Sequence, residues 1–366
     1  MSYPRYEYLQ PGVPTETVTM RMTGKEVVLP KFDRPVTAAE NFKRAAQRDK
    51  PYWVPNPITD MQSHHPTDHI SEFRHVMGST VDKRFVDWFG ADWTYVVSAG
   101  GPMLTPGITV MDDITLWQKS VKFPDLENWD FETEAGDFMS NTYDPEKALC
   151  MDIGIGCTER MVSLMGGYTE SMLALAEEPE ACQDFFEAFI DFEIAHFDKL
   201  RAFYPMDMLT YHDDWGNEKD TFFSPAMFEN LILPPTKRFF DYVKSKGVEI
   251  EFHNCGNINR FLPYIADLGP AFLQIQRRVI DFPAVKESYG NCFGFCGYIE
   301  GLEMGADDPP KEKLVQMVSH TVDVLGKGGG LYMNMWLKNP ESIWYAYNEL
   351  YAYSSELYAK ERNAAI

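Results

Sequence analysis

The sequence lacks several features that would point to a particular compartment. It contains no run of about 18 apolar residues, the length that a membrane-spanning helix needs. Its first residues do not form the apolar core of a signal peptide, and six cysteines among 366 residues are too few for a disulfide scaffold. We therefore expect a cytoplasmic protein that does not bind a membrane.

Positive charge is also scarce. The chain carries 33 lysine and arginine residues against 55 aspartate and glutamate residues, a formal net charge of -22. Because binding to nucleic acid depends on clustered basic side chains, this balance argues against nucleic acid as a partner. It also disfavours a strongly anionic substrate. Hydrophobic residues make up 45% of the chain and aromatic residues 14%, enough for a large core and an apolar pocket.

From Met208 onward, short apolar runs alternate with helical patterns, which predicts parallel strands joined by crossover helices. With the units upstream, the pattern predicts an α/β fold, a TIM (β/α)8 barrel with an N-terminal extension over residues 1–36. A doubly wound open sheet is the alternative. The barrel is favoured because polar residues follow several strands, whose ends meet at one mouth in a barrel. These residues are Asn56, His212, Asp213, His253, Cys255, Gln276, Cys296 and Asn334.

One of these strand ends carries a candidate metal site. A predicted strand over residues 248–252 runs into His253 and Cys255, and a glycine follows. Alternate residues of a strand point the same way, so the imidazole and the thiol can face one point. Both groups bind zinc, and a catalytic zinc takes three protein ligands and leaves one position open. Two ligands do not make a site, and simple packing is the alternative interpretation.

Other histidines and cysteines fit a metal site less well. His64, His65 and His69 lie in a predicted loop without regular ligand spacing, so we expect exposed or substrate-facing side chains there. Cys182 and His196 share one face of a predicted helix, and we expect both in the core.

Several motifs in the second half of the chain occur together in one known family. They are Tyr-His-Asp-Asp-Trp-Gly at 211–216, Phe-Ser-Pro at 223–225, Phe228, Leu-Pro at 233–234, His-x-Cys-Gly-Asn at 253–257 and the Gly-rich run before the last predicted strand. In these motifs and their order the chain resembles the uroporphyrinogen decarboxylase superfamily over roughly residues 38–360. The resemblance implies a TIM barrel, here one domain over residues 37–366.

The resemblance implies one of two activities. The decarboxylase binds the carboxylates of a porphyrin precursor through an arginine-containing stretch, but the matching residues here, Tyr52 to Met61, contain no arginine. A polycarboxylate needs bidentate guanidinium contacts, so this activity fits poorly. The other activity belongs to zinc-dependent methyltransferases, which exchange methyl groups with the cobalt of a corrinoid protein. His-x-Cys is the zinc signature of these methyltransferases.

The predicted zinc site departs from the methyltransferase pattern at one position. In the methanol- and methylamine-pathway members, the third ligand is a cysteine just after the last Gly-rich strand, and residues 334–338 contain none here. Cys296 is the best substitute because it ends a neighbouring predicted strand. Glu300, Glu251 and His212 are the alternatives, and a site without zinc is also open.

The resulting hypothesis is a zinc-dependent methyltransferase that moves a methyl group from a small donor, an aromatic methyl ether, to the cobalt of a corrinoid. The chain lacks an Asp-x-His-x-x-Gly cobalamin motif, so we expect a separate corrinoid-binding protein as partner, and we allow for a homodimer. His253, Cys255 and Cys296 hold zinc, while Asp213 or His212 donates a proton or orients the site. The predicted substrate-binding residues are Tyr211, Trp215, Gln276, Tyr298 and Trp336.

Three alternatives stay open at this point. One is transfer in the other direction, from a methylcorrinoid to tetrahydrofolate. Another is a uroporphyrinogen-decarboxylase-like lyase that acts on a small acid through Asp213 without a metal. The third is a non-catalytic subunit that kept the barrel and lost the third ligand. Arg277 and Arg278 follow a predicted strand and are the residues that would serve a carboxylate-bearing substrate.

Overall fold

The computed structural model describes residues 3–20, 24–65, 79–303 and 305–364, so His69 lies outside the described residues. The strands are β1 Thr15–Thr19, β2 Glu26–Pro30, β3 Met61–His64, β4 Lys83–Val86, β5 Asp92–Val96, β6 Gly101–Leu104, β7 Ala148–Ile155, β8 Met208–His212, β9 Glu249–Asn254, β10 Phe272–Ile275, β11 Gly294–Tyr298 and β12 Leu331–Asn334. The helices are α1 Ala38–Gln47, α2 Trp117–Ser120, α3 Phe131–Asn141, α4 Cys157–Met165, α5 Tyr168–Glu177, α6 Pro179–Phe203, α7 Pro225–Met227, α8 Leu233–Ser245, α9 Leu262–Leu268, α10 Phe282–Tyr289, α11 Lys311–Thr321 and α12 Pro340–Ala364.

A seven-stranded parallel sheet in the order β12-β11-β10-β9-β8-β7-β3 forms the centre of the described chain. It curls as in a TIM barrel, and most of its parallel pairs are joined through crossover helices, which confirms the predicted fold class. At the open side, residues 53–55 lie against β12, where the N–H of Met333 donates to the carbonyl oxygen of Pro55 over 2.9 Å. Pro55 has no N–H to donate in return, so regular strand pairing does not form there.

Side chains alternate between the two faces of this sheet. The face toward the helices is apolar, with Leu209, Ile250, Leu273, Phe295 and Leu331 fully buried. Side chains alternate along a strand, so on each strand the residues next to these apolar ones face the other side. We call this side, inside the curl of the sheet, the interior. The interior residues include Thr210, His212, Glu251, His253, Gln274, Cys296, Tyr298, Tyr332 and Asn334. A polar interior at the carboxyl ends of parallel strands is the usual position of a site in this fold.

Two smaller sheets lie outside the barrel-like sheet. The antiparallel pair β1–β2 belongs to the N-terminal segment, and β2 packs against α12. The buried carboxylate of Asp60 fixes this segment through an ion pair of 2.8 Å with Arg34. The three-stranded antiparallel sheet β4-β5-β6 is inserted between β3 and β7. An ion pair of 2.5 Å between Arg160 and Asp87 ties the insertion to α4.

The helix ends follow local sequence signals. Thr37 is the N-cap of α1, and its side chain accepts a hydrogen bond from the N–H of Glu40. Helix α6 begins at a proline, as that position allows, and buries Cys182 and His196 completely. The prediction that these two residues belong to the core is therefore confirmed. None of the described helices is both long enough and apolar enough to cross a membrane.

Prolines shape the long helical segment after β8. Ser224 caps its start by accepting from the N–H of Met227. A π-helical turn, Phe228–Ile232, then precedes α8, so Pro234 and Pro235 fall in the first turn of α8. Because the two prolines have no N–H to donate, the regular α-helical hydrogen bonding is interrupted where the π-helical turn meets α8.

The close packing of β11 on the turn before β12 gives a test of this fold. A β-carbon at Gly294 would overlap the carbonyl oxygen of Gly330. That oxygen is a backbone atom, so it cannot move aside as a flexible side chain would. We expect Gly294→Ala to lower the free energy of unfolding by about 1–3 kcal/mol, the usual cost of overpacking. Gly136→Ala is the matched control, because Gly136 lies within α3 with nothing within 4 Å.

In the control, alanine should raise the free energy of unfolding by about 0.5–1 kcal/mol, because glycine is a poor helix former. Urea denaturation of both variants measures the difference. Equal stability of the two variants would contradict the described pairing of β11 with the turn before β12.

Candidate functional site

Four side chains converge where β8 and β9 end. In the strand register His212 is opposite His253, and the rings of these residues lie 4.1 Å apart at 86°. Ligand atoms of His212, Asp214 and His253 all lie within 4.8 Å of one another. The Sγ atom of Cys255 is 3.5 Å from Nε2 of His253, and the N–H of Cys255 donates to Asp214 Oδ1 over 2.6 Å. We refer to His212, Asp214, His253 and Cys255 as the donor cluster.

The ligand types of the donor cluster suit a zinc ion, and two of the distances between its ligand atoms match those around tetrahedral zinc. With zinc–nitrogen bonds of about 2.0 Å and zinc–sulfur bonds of about 2.3 Å, tetrahedral ligand atoms are separated by about 3.5 Å. The distance from His212 Nε2 to Asp214 Oδ1 is 3.4 Å, and that from His253 Nε2 to Cys255 Sγ is 3.5 Å. The buried Nε2 of His212 also makes no hydrogen bond to the described chain. An unsatisfied buried nitrogen of this kind is what a metal ligand needs.

A largely buried carboxyl group lies beside the donor cluster. Glu159, near the start of α4, places Oε2 3.8 Å from His212 Nε2. Burial raises the pKa of Glu159 to about 8. Burial alone lowers the pKa of His212, but the charges of Glu159 and Asp214 outweigh it and raise this pKa. For Asp214, burial alone raises the pKa, but the imidazole of His212, 3.4 Å away, outweighs it and lowers this pKa. The cluster therefore concentrates opposite charges in a buried space.

Asp213 faces away from the donor cluster. Its carboxylate is fully buried and accepts from the N–H of Thr158 at 3.3 Å, from the N–H of Glu159 at 2.8 Å and from the indole of Trp215 at 2.9 Å. The hydroxyl of Thr158 also donates to it. Burial raises the pKa of Asp213 to about 6, against the lowering effect of these bonds. We predicted Asp213 as a proton donor, but its oxygens are enclosed by donors at the N-terminus of α4.

Two predicted substrate-binding residues lie on this same helix-facing side. Tyr211 and Trp215 are almost completely buried. The hydroxyl of Tyr211 accepts from the N–H of Cys157 over 3.3 Å, and the ring of Trp215 packs 4.6 Å from that of Phe252. Their place in the core follows from strand alternation, since they share the side of Asp213.

The other predicted substrate-binding residues lie on the interior side. The rings of Tyr298 and Trp336 are 4.4 Å apart, and both side chains are partly exposed. Gln276 follows β10 by one residue and is also partly exposed. Tyr298 and Trp336 thus form an aromatic pair at the strand ends of β11 and β12.

Cys296, the predicted third zinc ligand, is not in the group of ligand atoms described above. Its buried sulfur instead lies 3.0 Å from the amide nitrogen of Asn334 and 3.5 Å from that of Gln274. Burial raises the pKa of this thiol to about 12. Gln274 also contacts the Nδ1 atom of His253 through its amide oxygen. Cys296 is therefore linked to the donor cluster through Gln274.

Two of the loop histidines are paired outside the donor cluster. Nε2 of His64 lies 3.2 Å from the hydroxyl of Tyr204, and Nδ1 of His65 lies 2.9 Å from the carboxylate of Asp152. Both side chains are mostly buried.

Four residues of this region were not recognised from the sequence: Glu159, Asp214, Gln274 and, as a hydrogen-bonding residue, Asn334. Strand alternation would have identified Asp214, because it lies two residues after His212. For Glu159 the sequence offered no signal, since α4 reaches the cluster only through the fold.

The loops after β8 and β9 are packed backbone to backbone. Gly256 has a φ of 82°, and a β-carbon there would overlap the carbonyl group of Gly216. The N–H of Asn257 donates to the carbonyl oxygen of Asn217 over 2.7 Å. The positions of Asp214 and Cys255 are therefore fixed relative to each other.

The different surroundings of the two aspartates can be tested by stability. Asp213→Asn places an amide NH2 among backbone and side-chain donors, and we expect a loss of about 1–3 kcal/mol in the free energy of unfolding. Asp214→Asn is the matched control, since that side chain is partly exposed and a single backbone N–H donates to it. Its loss should stay below about 1 kcal/mol. Urea denaturation compares them, and the reverse order would show that Asp213 is not the anchor of α4.

Comparisons with known proteins bear on this geometry. Among solved structures, the chain is similar to a methyltransferase from Methanosarcina mazei, with a TM-score of 0.58 and 15% identity over 88% of this chain and 99% of that chain. At this identity the likeness shows the fold alone. A structure of L-ribulose 3-epimerase has a TM-score of 0.36 and 11% identity, over 66% of this chain and 84% of that chain, and carries no argument.

A search of curated proteins finds no match to the sequence. The family model described as Uroporphyrinogen decarboxylase (URO-D) matches residues 86–349. This match spans more than half of the chain and includes the strand ends that carry the donor cluster. The protein therefore belongs to the uroporphyrinogen decarboxylase family.

Proposed function

We propose that this protein is a methyltransferase that takes a methyl group from a small donor, an aromatic methyl ether, and passes it to the cobalt of a corrinoid on a partner protein. The observation that carries the proposal is the donor cluster, which combines imidazole, thiol and carboxylate ligands at the strand ends of a barrel-like fold. The fold likeness to a methyltransferase supports the same class of reaction.

The donor cluster would hold zinc through Nε2 of His212 and His253, Oδ1 of Asp214 and Sγ of Cys255. Cys255, as the thiolate ligand, together with two of the other three residues would complete a three-ligand set and leave the fourth position for substrate. The chemistry that zinc supplies at such a site is Lewis-acid polarisation of the ether oxygen from which the methyl group leaves. In this proposal Cys296 is replaced as the third ligand by His212, the last residue of β8, or by Asp214, two residues later.

The surrounding residues hold the cluster in place. Asp213 binds the N-terminus of α4, and so fixes the chain on which His212 and Asp214 project to the interior. Glu159 lies 3.8 Å from His212 and limits the orientations of that ring. A constellation held in this way loses little conformational entropy when substrate arrives.

The aromatic pair supports an aromatic donor. The rings of Tyr298 and Trp336 are 4.4 Å apart, and the hydroxyl of Tyr298 lies 3.9 Å from the sulfur of Cys296. This pair is thus connected to the donor cluster through Cys296 and Gln274. Aromatic walls bind flat rings by burial and stacking, which fits a methoxybenzene.

The arginines near the mouth support an uncharged donor. The guanidinium of Arg277 donates to the carbonyl oxygens of Ile299 at 2.7 Å and Leu302 at 2.8 Å. Arg278 is mostly exposed and lies 3.3 Å from the carboxylate of Glu303. Both guanidinium groups thus already bind groups of this chain. This weighs against their serving a carboxylate-bearing substrate. The enclosed position of Asp213 likewise weighs against a lyase that acts through this residue.

The ligand set makes a prediction about metal content. Purified protein should bind about one zinc per chain, and Cys255→Ala should lose most of it, because a thiolate is a strong zinc ligand. Cys292→Ala is the matched control, since that cysteine is exposed before β11. Cys296→Ala should also keep its zinc. Elemental analysis measures the content, and loss of zinc in Cys296→Ala but not in Cys255→Ala would reverse the assignment.

The donor class makes a second prediction. With a corrinoid protein supplied in its reduced cobalt(I) state, methoxybenzene should methylate cobalt and be released as phenol after protonation, whereas a porphyrinogen should be neither bound nor decarboxylated. Trp336→Ala should raise KM for the methoxybenzene by about tenfold, because stacking and burial of one ring contribute about 1–2 kcal/mol. The visible spectrum of the corrinoid follows the reaction, with a reaction lacking the corrinoid protein as control. Activity with only methanol, methylamines or methyl-tetrahydrofolate would exclude the aromatic donor and leave the methyltransferase class intact.

A further inference from the structure

The side chain of Gln274 contacts both His253 and Cys296, which lie on different strands of the interior side. It lies in the middle of the interior face, on β10, and is opposite His253 in the strand register. Its amide oxygen contacts Nδ1 of His253, and its amide nitrogen lies 3.5 Å from the sulfur of Cys296. Both the oxygen and the nitrogen of the Gln274 amide therefore have a partner, and the neighbouring side chains are largely buried.

The orientation of this amide determines the proton position on His253. With the amide oxygen toward the ring, Nδ1 must carry the hydrogen that it donates, and Nε2 is left with its lone pair. Nε2 is the atom that lies 3.5 Å from Cys255 Sγ in the donor cluster. A ring in this tautomer can bind a metal through Nε2, whereas the other tautomer has a hydrogen in that position.

The sulfur of Cys296 and the amide of Asn334 select this orientation. Asn334 Nδ2 lies 3.0 Å from the same sulfur that the Gln274 amide nitrogen contacts. The Cys296 thiol points its own hydrogen at the Tyr298 hydroxyl, 3.9 Å away, and accepts from the Asn334 NH2, so it faces Gln274 as an acceptor. If the Gln274 amide were reversed, its oxygen would face this acceptor, and its NH2 would face Nδ1. Cys296 and Asn334 therefore favour the orientation in which Nε2 of His253 carries no hydrogen and can act as a ligand.

We propose that Gln274 is a positioning residue that holds His253 in the Nδ1–H tautomer and aims Nε2 at the donor cluster, with Cys296 and Asn334 orienting its amide. The metal-related part of this inference rests on the proposed function. The tautomer itself does not, because it is a property of the zinc-free protein. The role of Cys296 is then to accept hydrogen bonds and set an amide, and not to bind the metal.

The direct test is nitrogen NMR of the histidine rings in zinc-free protein, at an alkaline pH where imidazole is neutral. Two-bond correlations distinguish Nδ1–H from Nε2–H rings, and a His253→Asn variant assigns the signal. We expect a single Nδ1–H tautomer in the original protein. Gln274→Leu removes both contacts and should give a mixture of tautomers. Gln274→Glu keeps an acceptor for Nδ1–H and should keep the tautomer.

Gln47→Leu is the matched control, because the exposed Gln47 donates a hydrogen bond of 2.9 Å to Glu249, at the opposite end of β9 from the donor cluster. Circular dichroism of each variant confirms that it is folded. An Nε2–H signal for His253 in the original protein, or a tautomer that is unchanged in folded Gln274→Leu, would overturn the proposal.

Zinc binding provides the second measurement, made with zinc alone against a competing chelator. Gln274→Leu should bind zinc about 10- to 100-fold more weakly, the usual effect of removing a hydrogen bond to a ligating histidine. Gln274→Glu should recover most of this loss, which a purely structural role would not predict. If the protein binds no zinc while the tautomer changes as expected, the metal assignment fails and the positioning role of Gln274 stands. If zinc binds but Gln274→Leu changes neither measurement, the positioning role fails alone.

Discussion

A buried carboxylate at Asp213 sets the geometry of the mouth. A charged carboxyl group without partners would cost several kcal/mol to bury, but here it accepts from two backbone N–H groups, one hydroxyl and one indole. The positive end of the α4 dipole adds to this stabilisation. The carboxyl end of β8 is thereby attached to the start of the helix that follows β7. Since neighbouring residues of an extended chain alternate, His212 and Asp214 must then project to the opposite side.

The fold was predictable from the sequence because its signals are local. Short apolar runs that alternate with helical patterns identified the strands from β8 onward and the helices that connect them. The side of the sheet that each residue faces follows from an equally local signal, the alternation of side chains along a strand. Applying the period of two to residues 211–215 separates His212 and Asp214 from Tyr211, Asp213 and Trp215. We applied this rule to His253 and Cys255 but not to the chain after β8, and so named Asp213 rather than Asp214, whose carboxylate lies in the donor cluster.

The remaining features depend on how strands align with one another. Gln274 reaches His253 and Cys296 because β10 lies between β9 and β11 in a particular register. No spacing within the sequence specifies that register, so Gln276 and Gln274 were equally good candidates. The same holds for Cys296, which is near β9 in the fold but is separated from the donor cluster by the side chain of Gln274. Local sequence patterns predict which residues face the interior. Which of these residues contact one another depends on the register of the strands in the folded sheet.

The contact between Gly216 and Gly256 has a consequence for how this family can be altered. Because the two loops touch through backbone atoms, neither can lengthen or change conformation without moving the other. Residues 214–217 and 254–257 therefore behave as one structural unit, although almost 40 positions separate them along the chain. Transplanting the site onto another barrel would require both loops together with their glycines. Chimeras that exchange only one of these loops would carry the right ligands at the wrong separation.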